Sequence, residues 1–589
     1  MRATVDFLVF DWLRAGELCA RERYADHSRE TFQQVLDTCE RVAAERFAPA
    51  NRACDVEEPH VDAEGRVVLP ASTAAAVKAY FETGMQAASQ DAEHGGLQLP
   101  CVVEMAGNAF FSKASVGCGG YTLLTSGNAS LILAHGTPKQ REVFAARELT
   151  GQWMGTMCLS EPAIGSSLGD LTSRAELDDT NDPLGPRYRL KGSKMWISAG
   201  EHELSENIVH LVLAKVPKPD GSLPEGSGGI SLFIVPKWQV DEHGALTGVR
   251  NGVSLVGLNH KLGWRGTSNC LLNFGESAPA IGYRVGAEGQ GLACMFHMMN
   301  EARIGVGLSA SMLAMAGYEA SLAYAKDRTQ GRPVGQRGGA PVPIAQHADV
   351  KRMLLAQKAI AEGALALNLY CAALVDAQRS GTPEQKADAT ALLGLLIPVA
   401  KSWPSQWGLE ANSLAIQVLG GAGYTRDWPL EQYWRDNRLN MIHEGTHGIQ
   451  GLDLLLRKAS QPQALQLLAA RVNDTVQAAL QDPAMADWAN QLAAGLALVG
   501  KATKAAWASG DPAQAAVHGT PYLQGFGHLV LAWTWLDLLR HTPSGHPLHA
   551  GHRAACAYFF AYELPLAQAW LAPVLAGQSL LAALDPEVL

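Results

Sequence analysis

The hydrophobic pattern of this sequence changes twice along its 589 residues, and the order of these changes constrains the fold. Before about residue 155, segments such as 28–52 space apolar residues three and four positions apart, as on one face of a helix. We expect Pro49 to end that helix. Between about residues 156 and 278, short β-rich runs bounded by glycine and proline take over, for example GGISLFIVPKW. The helical period then returns from about residue 290.

This order predicts an α+β fold of four parts. Residues 1–155 form a helical domain, and residues 156–280 form a small β domain of antiparallel strands. A C-terminal helical bundle covers residues 281–460, and an additional helical module covers residues 461–589 after the linker-like ASQPQA. The end of this module, from Leu564 to Leu589, contains no lysine or arginine. We therefore expect it to pack on the rest of the protein or on a second subunit rather than on an anionic membrane.

Composition supports a large folded protein and argues against several classes of function. Hydrophobic residues make up 47% and charged residues 18%, which suits an extensive buried core. The formal net charge of −10, with no run rich in lysine or arginine, disfavours binding to nucleic acid. No apolar stretch reaches the ~18 residues that suggest a spanning helix, so no integral membrane segment is expected. The ten cysteines contain no CxxC pair, which favours reduced thiols in a cytoplasmic protein.

Two segments of the β region carry residues suited to a flat or anionic ligand. In MCLSEPAIGSSLGDL, a strand ending at Leu159 and Ser160 is followed by a loop of small residues with exposed backbone N–H groups. In GSKMWISAG, Trp196 and Ser198 share one side of a strand, an arrangement that suits the wall of an aromatic cofactor. An ordinary turn and a plain core tryptophan are the alternatives for these two segments.

The segment NMIHEGTHGIQ places one carboxylate, Glu444, in a turn of small residues between two histidines. Three roles suit such an acid: a catalytic base, a metal ligand together with His443 and His447, or a helix cap. A metal site is disfavoured, because the two histidines of HExxH lie on one face of a helix and Gly445 disfavours a helix at this point. For an isolated EGT sequence, a cap at the start of a helix is the leading interpretation.

Seven motifs occur in the order and rough spacing of one protein family: MCLSEPAIGSSLG, KMWISAG, KLGWRGTSNC, ARIGVG, DRTQGR, QVLGGAGYTRD and IHEGTHGIQ. On these motifs the chain resembles the acyl-CoA dehydrogenases over about residues 30–458. That family consists of flavoenzymes with a helical N-terminal domain, a β domain and a helical C-terminal domain. The module after residue 460 resembles that of the larger members, which include bacterial fatty acyl-CoA dehydrogenases and 3-methylthiopropanoyl-CoA dehydrogenases.

The resemblance implies α,β-dehydrogenation of a fatty acyl-CoA thioester, the first step of β-oxidation, with FAD as cofactor. Glu444 matches the base that removes the α-proton, while the β-hydride goes to flavin N5 and the electrons pass to an electron-transfer flavoprotein. Glu301, one step from the position at which some members carry their base, is the rival. The alternative substrate is 3-methylthiopropanoyl-CoA. From another class, the alternative is a DNA-binding flavoprotein on the same fold.

The resemblance also assigns binding roles. The residues implied to contact FAD are Leu159, Ser160, Trp196, Ser198, Arg328, Gln330, Gln417, Gly420, Gly421 and Thr446. The residues implied to contact the acyl-CoA substrate are Ser166, Asn300, Arg303 and Gly445. Two positions depart from the family pattern, since Ser167 and Asn300 each stand where an aspartate is usual. The FAD contact in QVLGG is usually reached across a subunit boundary, so a homo-oligomer is implied, with a dimer favoured. No metal is expected.

Overall fold

The structure, a computed structural model, consists of two compact units. It describes residues 1–577 and 580–589, apart from the side chains of His297, Asn300 and Ala583. The helical unit comprises Met1–Gln33, Pro100–Ala109 and Arg303–Leu589, and the β unit comprises Gln34–Leu99 and Phe110–Ala302. The helices after residue 460 therefore belong to the same compact unit as the bundle that precedes them. The division into four domains stays a prediction.

The helices have the following bounds in chain order. They are α1 (Arg2–Asp6), α2 (Arg29–Val42), α3 (Ala48–Val56), α4 (Ala71–Glu82), α5 (Cys101–Ala114), α6 (Val116–His135), α7 (Pro138–Gln140), α8 (Ala146–Leu149), α9 (Gly291–Asp327), α10 (Ala348–Ser380), α11 (Pro383–Leu419), α12 (Leu430–Leu439), α13 (His447–Leu452), α14 (Pro462–Ala479), α15 (Ala486–Ala506), α16 (Pro512–Ala516), α17 (Gly519–Arg540), α18 (His549–Tyr558), α19 (Leu564–Leu575) and α20 (Leu580–Ala583). π-helical turns extend some of them, including Phe7–Trp12 after α1 and Asp453–Lys458 after α13.

The helix predicted near residue 28 forms, but Pro49 does not end it. Ser28 caps α2 by accepting a hydrogen bond from the backbone N–H of Thr31 at 3.2 Å. A π-helical turn at Ala43–Phe47 then leads directly into α3, where Pro49 occupies the first turn. Proline is tolerated there because the first N–H groups of a helix have no partner inside it. The expectation for Pro49 is therefore wrong.

The β unit contains a mixed sheet of eight strands. The strands of the chain are β1 (His60–Val61), β2 (Val67–Val68), β3 (Trp153–Cys158), β4 (Arg174–Asp179), β5 (Arg187–Ser198), β6 (Asn207–Lys215), β7 (Ile230–Pro236), β8 (Trp238–Val240), β9 (Leu246–Arg250), β10 (Val253–Leu258), β11 (Asn269–Phe274) and β12 (Ala280–Val285). The order in this sheet is β10-β11-β5-β12-β7-β6-β3, with β4 beside β5 and β6. Most neighbours are antiparallel, as predicted, but β3 and β4 pair with β6 in parallel, which the pattern did not reveal.

Two inner strands of this sheet, β6 and β7, are buried on both faces. Every residue of β6 and β7 is buried. Because successive side chains of a strand point to opposite faces, Val209 and Leu211 join one apolar cluster while Val212 and Ala214 join another. This double burial explains why the two strands read as continuous apolar runs instead of alternating. Each fully buried valine or leucine stabilises the folded state by about 1.5–3 kcal/mol relative to an exposed one.

The long strand β5 connects the two halves of the sheet. Its first half pairs with β12, where Leu190 lies opposite Ala280. Its second half pairs with β11, where Ser198 lies opposite Asn269. The predicted flavin contacts on this strand, at its carboxyl end, are therefore held by a partner strand with a defined register.

In the helical unit, α10 is the one described helix with the length and apolar composition of a membrane-crossing segment. Its most apolar 18-residue window is 83% buried inside the structure, which is the environment of a core helix. The neighbouring α11 bonds to it, since Asn368 Nδ2 donates to the carbonyl of Ala400 at 3.0 Å. The pair α10 and α11 forms a core on which α12, α14, α17 and α18 pack.

Helix α17 of the C-terminal module packs on this core. The Trp535 indole on α17 donates to the carbonyl of Ala359 on α10 at 3.0 Å. From the opposite direction, the Trp403 indole on α11 donates to Nδ1 of His528 on α17 at 3.1 Å. The helix α17 is buried over most of its length. These contacts belong to α17, so the expectation for the end of the module, from Leu564 to Leu589, stays a prediction.

The N-terminal segment bonds to residues that lie far away in the sequence. The amino group of Met1 donates to Glu319 on α9 at 2.9 Å, and the Trp12 indole donates to Asp537 on α17 at 2.8 Å. The apolar turn Phe7–Trp12 between these two contacts is buried except for Asp11. The beginning of the chain is therefore an integral part of the helical unit.

Asp376 on α10 connects three segments of the helical unit. Its carboxylate accepts from the Tyr24 hydroxyl at 2.9 Å and from the backbone N–H groups of Cys101 and Val102 at 2.6 and 3.0 Å. The last two groups belong to the first turn of α5, where the helix dipole favours an anion. Burial raises the pKa of Asp376 to about 6, although these hydrogen bonds act in the opposite direction.

Candidate active site

The acid predicted as the base lies in a strained turn of the helical unit. The turn joins α12 to α13, and Glu444 adopts a φ of 54°, followed by Gly445 at 95°. A left-handed conformation costs a residue other than glycine roughly 1–2 kcal/mol. Such backbone strain is often found at functional sites. A side chain at position 445 would also place its Cβ 2.6 Å from Nε2 of Gln450. Glycine after the acid therefore makes this tight turn possible.

Three side chains hold the turn. Gln450 donates from Nε2 to the carbonyl of Glu444 at 2.9 Å, and Lys401 on α11 donates from Nζ to the carbonyl of Gly445 at 2.7 Å. Thr446 is the N-cap of α13 and accepts a backbone N–H of its first turn at 3.5 Å. Because Thr446 occupies the capping position, the interpretation of Glu444 as a helix cap is wrong.

Two cations oppose the effect of burial on Glu444. Burial raises the pKa of the Glu444 carboxyl above its ordinary value, and the positive charges of Arg303 and Lys401 act against that rise. Lys401 is itself fully buried, and burial lowers its pKa to about 7. A carboxylate with a raised pKa accepts a proton more readily than a free one. The turn therefore presents a carboxylate suited to removing a weakly acidic proton.

Arg303, a predicted substrate contact, is buried on α9. Its Nη1 lies 3.6 Å from Oδ2 of Asp453 in the π-helical turn after α13. Burial lowers the pKa of Arg303, while Asp453 and Glu444 raise it. Glu301, the rival base, is partly buried two residues earlier on the same helix. Asn300 was predicted to contact substrate, but its side chain lies outside the described residues.

Neutral histidines flank the acid. Nε2 of His443 bonds to Oδ1 of Asn440 at 3.1 Å, and burial lowers the pKa of His443 to about 3. Burial also lowers the pKa of His447 to about 4, and its two ring nitrogens have no hydrogen-bond partner among the described residues. Among all the residues that the structure describes, no group of three histidine, cysteine or acidic side chains is placed to hold a metal ion. The histidines therefore act here as uncharged rings beside Glu444.

The other residues of the helical unit predicted to contact FAD are exposed. Arg328 and Gln330 lie in the loop after α9, where Nη2 of Arg328 donates to Oε1 of Gln330 at 3.3 Å. Gln417 lies near the end of α11, and Gly420 follows with a φ of 60°. A Cβ added at Gly420 or Gly421 would meet nothing within 4 Å. These residues offer a guanidinium and open peptide backbone, the two groups that bind a pyrophosphate.

In the β unit, predicted flavin contacts meet at the carboxyl end of β5. The backbone N–H of Met195 donates to the carbonyl of Ser160 at 3.0 Å, which joins the LSEP loop to the strand. Trp196 follows with a φ of 65°, and this residue is 59% exposed. The Ser198 hydroxyl accepts from Asn269 on β11 at 3.2 Å. The interpretation of Trp196 as a plain core residue is therefore wrong.

A buried ion pair, which the sequence analysis missed, holds the same loop. Lys194 on β5 is fully buried and donates from Nζ to the carbonyl of Leu159 at 3.0 Å and to Oε1 of Glu161 at 3.2 Å. Burial alone would raise the pKa of Glu161, but Lys194 and donors from Thr172 and Ser173 lower it to about 2. No local sequence feature pointed to this pair, because β5 carries Arg187, Arg189 and Lys191 as well as Lys194.

These surfaces fit FAD. In the β unit, the exposed indole of Trp196 offers a face for a planar ring beside a loop whose backbone is fixed. Ser166, predicted to line the substrate channel, is exposed in that loop. In the helical unit, Arg328 and the open backbone at Gly420 suit the pyrophosphate. Each unit therefore carries groups suited to a flavoprotein oxidoreductase: a partly buried base and a cationic loop in the helical unit, and a surface for an aromatic ring in the β unit.

Comparison with known proteins gives the family. Residues 29–152 match the N-terminal domain of acyl-CoA dehydrogenases, and residues 289–458 match the C-terminal domain of the same enzymes. Residues 468–585 match a domain described as acetyl-CoA dehydrogenase C-terminal like. The chain belongs to the acyl-CoA dehydrogenase family, whose members act on acyl-CoA thioesters with FAD as cofactor.

Individual relatives agree with this assignment. The chain is 35% identical over 520 residues to the 3-methylmercaptopropionyl-CoA dehydrogenase of Ruegeria pomeroyi, covering 87% of this chain and 86% of that protein. It is 32% identical over 484 residues to the broad-specificity linear acyl-CoA dehydrogenase FadE5 of Mycobacterium tuberculosis, covering 80% and 76%. An acyl-CoA dehydrogenase of Bacillus anthracis, solved in complex with FAD, has the same fold, with a TM-score of 0.73, 20% identity, and coverage of 96% and 90%.

Proposed function

We propose that this protein catalyses α,β-dehydrogenation of a fatty acyl-CoA, the first step of β-oxidation, and that Glu444 removes the α-proton. One observation carries the proposal: Glu444 lies at positive φ in a turn whose two carbonyls are fixed by Lys401 and Gln450. Such a turn presents the carboxylate in a single direction, as a base must be presented to one C–H bond. Burial raises the pKa of Glu444, which strengthens it as a proton acceptor.

The chain also supplies groups that assist the loss of the proton. As the α-proton leaves, negative charge develops on the thioester oxygen and needs hydrogen-bond donors. The backbone N–H of Glu444 donates to no acceptor among the described residues and is available for this purpose. FAD, when bound, supplies the acceptor for the hydride that leaves the β-carbon. The neutral rings of His443 and His447 add no charge that would compete for the carboxylate.

The acyl group is proposed to be a linear fatty chain, with 3-methylthiopropanoyl-CoA as the alternative. The two relatives described above, which act on these two kinds of substrate by name, are similarly distant from this chain at 32% and 35% identity. A panel of acyl-CoAs from short to long decides between them when it includes a matched pair. Pentanoyl-CoA and 3-methylthiopropanoyl-CoA differ only by exchange of one methylene for sulfur. Faster flavin reduction by the sulfur compound would favour the alternative.

The proposed partners follow from the same chemistry. We propose an electron-transfer flavoprotein as the electron acceptor, because both relatives are named as dehydrogenases rather than oxidases. We also propose a homodimer, in which exposed Gln417 and Gly420 contact the FAD of the second subunit. A DNA-binding flavoprotein is the alternative from another class, and the net charge of −10 disfavours it. A salt-dependent shift of duplex DNA would revive it.

Substitution of the base tests the proposal. We expect purified Glu444→Gln protein to keep its FAD and bind acyl-CoA, while anaerobic bleaching of the flavin slows by about 10²–10⁴-fold, since that is the usual contribution of a general base. Glu301→Gln is the matched control, because it removes the rival carboxylate by the same change. Bleaching at the parental rate in Glu444→Gln, together with loss of bleaching in Glu301→Gln, would transfer the role to Glu301.

A further inference from the structure

Lys401 is an unusual residue for the middle of a core helix. It lies on α11 with no exposed surface, and its ammonium group donates to the carbonyl of Gly445, 44 positions further along the chain, at 2.7 Å. A buried ammonium loses its hydration, which is unfavourable unless its partners compensate. The partner here is a backbone carbonyl of the turn that carries Glu444. The buried ammonium group of Lys401 therefore contacts the turn that carries Glu444.

The turn has two braces that differ in charge. Lys401 holds the carbonyl of Gly445, and Gln450 holds the adjacent carbonyl of Glu444 at 2.9 Å. Both fix the orientation of the peptide groups that follow the acid. Gln450 is neutral and acts only through its hydrogen bond. Lys401 adds a positive charge, which lowers the pKa of Glu444 against the opposing effect of burial.

Other charged or titratable groups surround the same turn. They are Arg303 on α9, Arg438 on α12, His443 within the turn, His447 on α13, and Asp453 and Arg457 in the π-helical turn after α13. From α17, the backbone of Gly519 and Thr520 lies against α13. Arg303 is paired with Asp453 at 3.6 Å, whereas the hydrogen bond of Lys401 goes to a neutral carbonyl. The charge of Lys401 is therefore not shared with another hydrogen-bonded carboxylate.

We propose that Lys401 is a positioning residue for the base: it fixes the Gly445 carbonyl and, by its charge, keeps the partly buried Glu444 carboxylate ionised. This inference rests on the proposed function, in which Glu444 is the base. It goes further by assigning the ionisation of that base to a particular neighbour. Burial lowers the pKa of Lys401 to about 7, so its ammonium group is charged at pH values below that.

The two roles of Lys401 give different results as pH changes. If Lys401 acts only through its hydrogen bond, its removal changes the rate by the same factor at every pH. The acid limb of the pH profile, where the rate falls because Glu444 becomes protonated, then stays in place. A charge sets the position of that limb. An opposite charge within a few ångströms lowers a carboxyl pKa by about 1–3 units. Without the Lys401 charge, the acid limb should move to higher pH by about one unit or more, and the rate at pH values below the limb should fall about tenfold or more.

The experiment follows the α-proton directly. Holoenzyme whose FAD has been reduced with dithionite cannot accept a hydride, so a bound acyl-CoA undergoes only proton exchange at its α-carbon. Deuterium uptake from heavy water into the best acyl-CoA of the substrate panel is measured by mass spectrometry over a pH series. The variants are Lys401→Met and Lys401→Gln, which remove the charge, and Lys401→Arg, which keeps it. Gln450→Met is the matched control that removes only the neutral brace.

We expect the acid limb to move up in Lys401→Met and Lys401→Gln and to stay in place in Lys401→Arg and Gln450→Met, whatever their absolute rates. If Lys401→Met does not fold, Lys401→Gln carries the test. Unmoved limbs in the charge-removing variants would overturn the proposal for Lys401. Glu444→Gln separates the two levels of inference: abolished exchange leaves the proposed base standing when the Lys401 result fails, and parental exchange refutes both.

Discussion

Replacement of Gly451 by alanine should destabilise the protein and displace the catalytic turn. Gly451 lies on α13, the helix that directly follows the turn carrying Glu444. It packs against the first residues of α17. A Cβ at position 451 would lie 2.5 Å from the carbonyl group of Gly519 and 2.9 Å from the backbone nitrogen of Thr520. Real Cβ atoms essentially never approach other heavy atoms more closely than 3.0 Å. Since the obstacle is helix backbone rather than a flexible side chain, α13 itself has to move.

The size of the effect follows from this overlap. Ordinary van der Waals contact begins at 3.4 Å, whereas a Cβ at position 451 would lie 2.5 Å from Gly519. Helix α13 would therefore have to move by close to the difference between these two distances. Overpacking of a well-packed core costs about 1–3 kcal/mol. Because Thr446 caps α13 and Glu444 lies two residues before Thr446, the shift reaches the base. A displacement of about 1 Å in a catalytic group can reduce the rate about 10²-fold.

Gly448 provides a matched control on the same helix. A Cβ at this exposed position would meet only Oγ1 of Thr446, at 3.8 Å. Alanine in place of glycine in a helix gains up to about 1 kcal/mol, so Gly448→Ala should keep or raise the thermal unfolding midpoint. Gly451→Ala should lower both the midpoint and the rate of anaerobic flavin bleaching. Equal midpoints and rates for the two variants would refute the close contact of α13 with α17.

Two further predictions concern buried charges. In the parent, the pKa of Asp376 in the folded state is about 6 and exceeds the unfolded value, so the free energy of unfolding falls by about 3 kcal/mol as pH rises from about 4 to about 6. In Asp376→Asn, this fall should be absent. Unfolding midpoints of both proteins across that range check this, and parallel profiles would contradict it. Lys194→Met should cost about 3–5 kcal/mol by leaving the buried Glu161 unpaired, and should release FAD on dialysis. The double variant with Glu161→Gln should recover part of the stability, and an equally unstable double variant would argue against the ion pair.

The parts of the fold and site that depend on local features could be predicted from the sequence. The change of hydrophobic period near residue 156 marks the start of the β region to within a few residues of β3. The glycine after Glu444 pointed to a tight turn, and the structure shows positive φ at both residues. The roles of the predicted site residues remain predictions, because contact with FAD or substrate depends on groups that the sequence does not contain.

The lysines that organise the site could not be predicted in this way. Lys401 stands alone in an apolar segment, where a single charged residue usually faces water. Lys194 lies in a strand that also carries Arg187, Arg189 and Lys191, and the pattern does not single it out. Their burial arises from partners that the chain brings close only on folding: Gly445 lies 44 positions from Lys401, and Leu159 lies 35 positions from Lys194. Hydrophobic periodicity reports which side of a helix or strand is apolar. It does not report which distant carbonyl a cation will meet.

The long-range contacts of the N-terminal segment have a consequence for the synthesis of this protein. Trp12 leaves the ribosome early, but its partner Asp537 lies 525 positions later in the chain. At about 5–20 residues per second, translation of that interval takes roughly half a minute to two minutes. During this time the apolar turn Phe7–Trp12 has no completed surface to cover it. The nascent chain therefore needs a chaperone, or temporary contacts of its own, until α17 has been made.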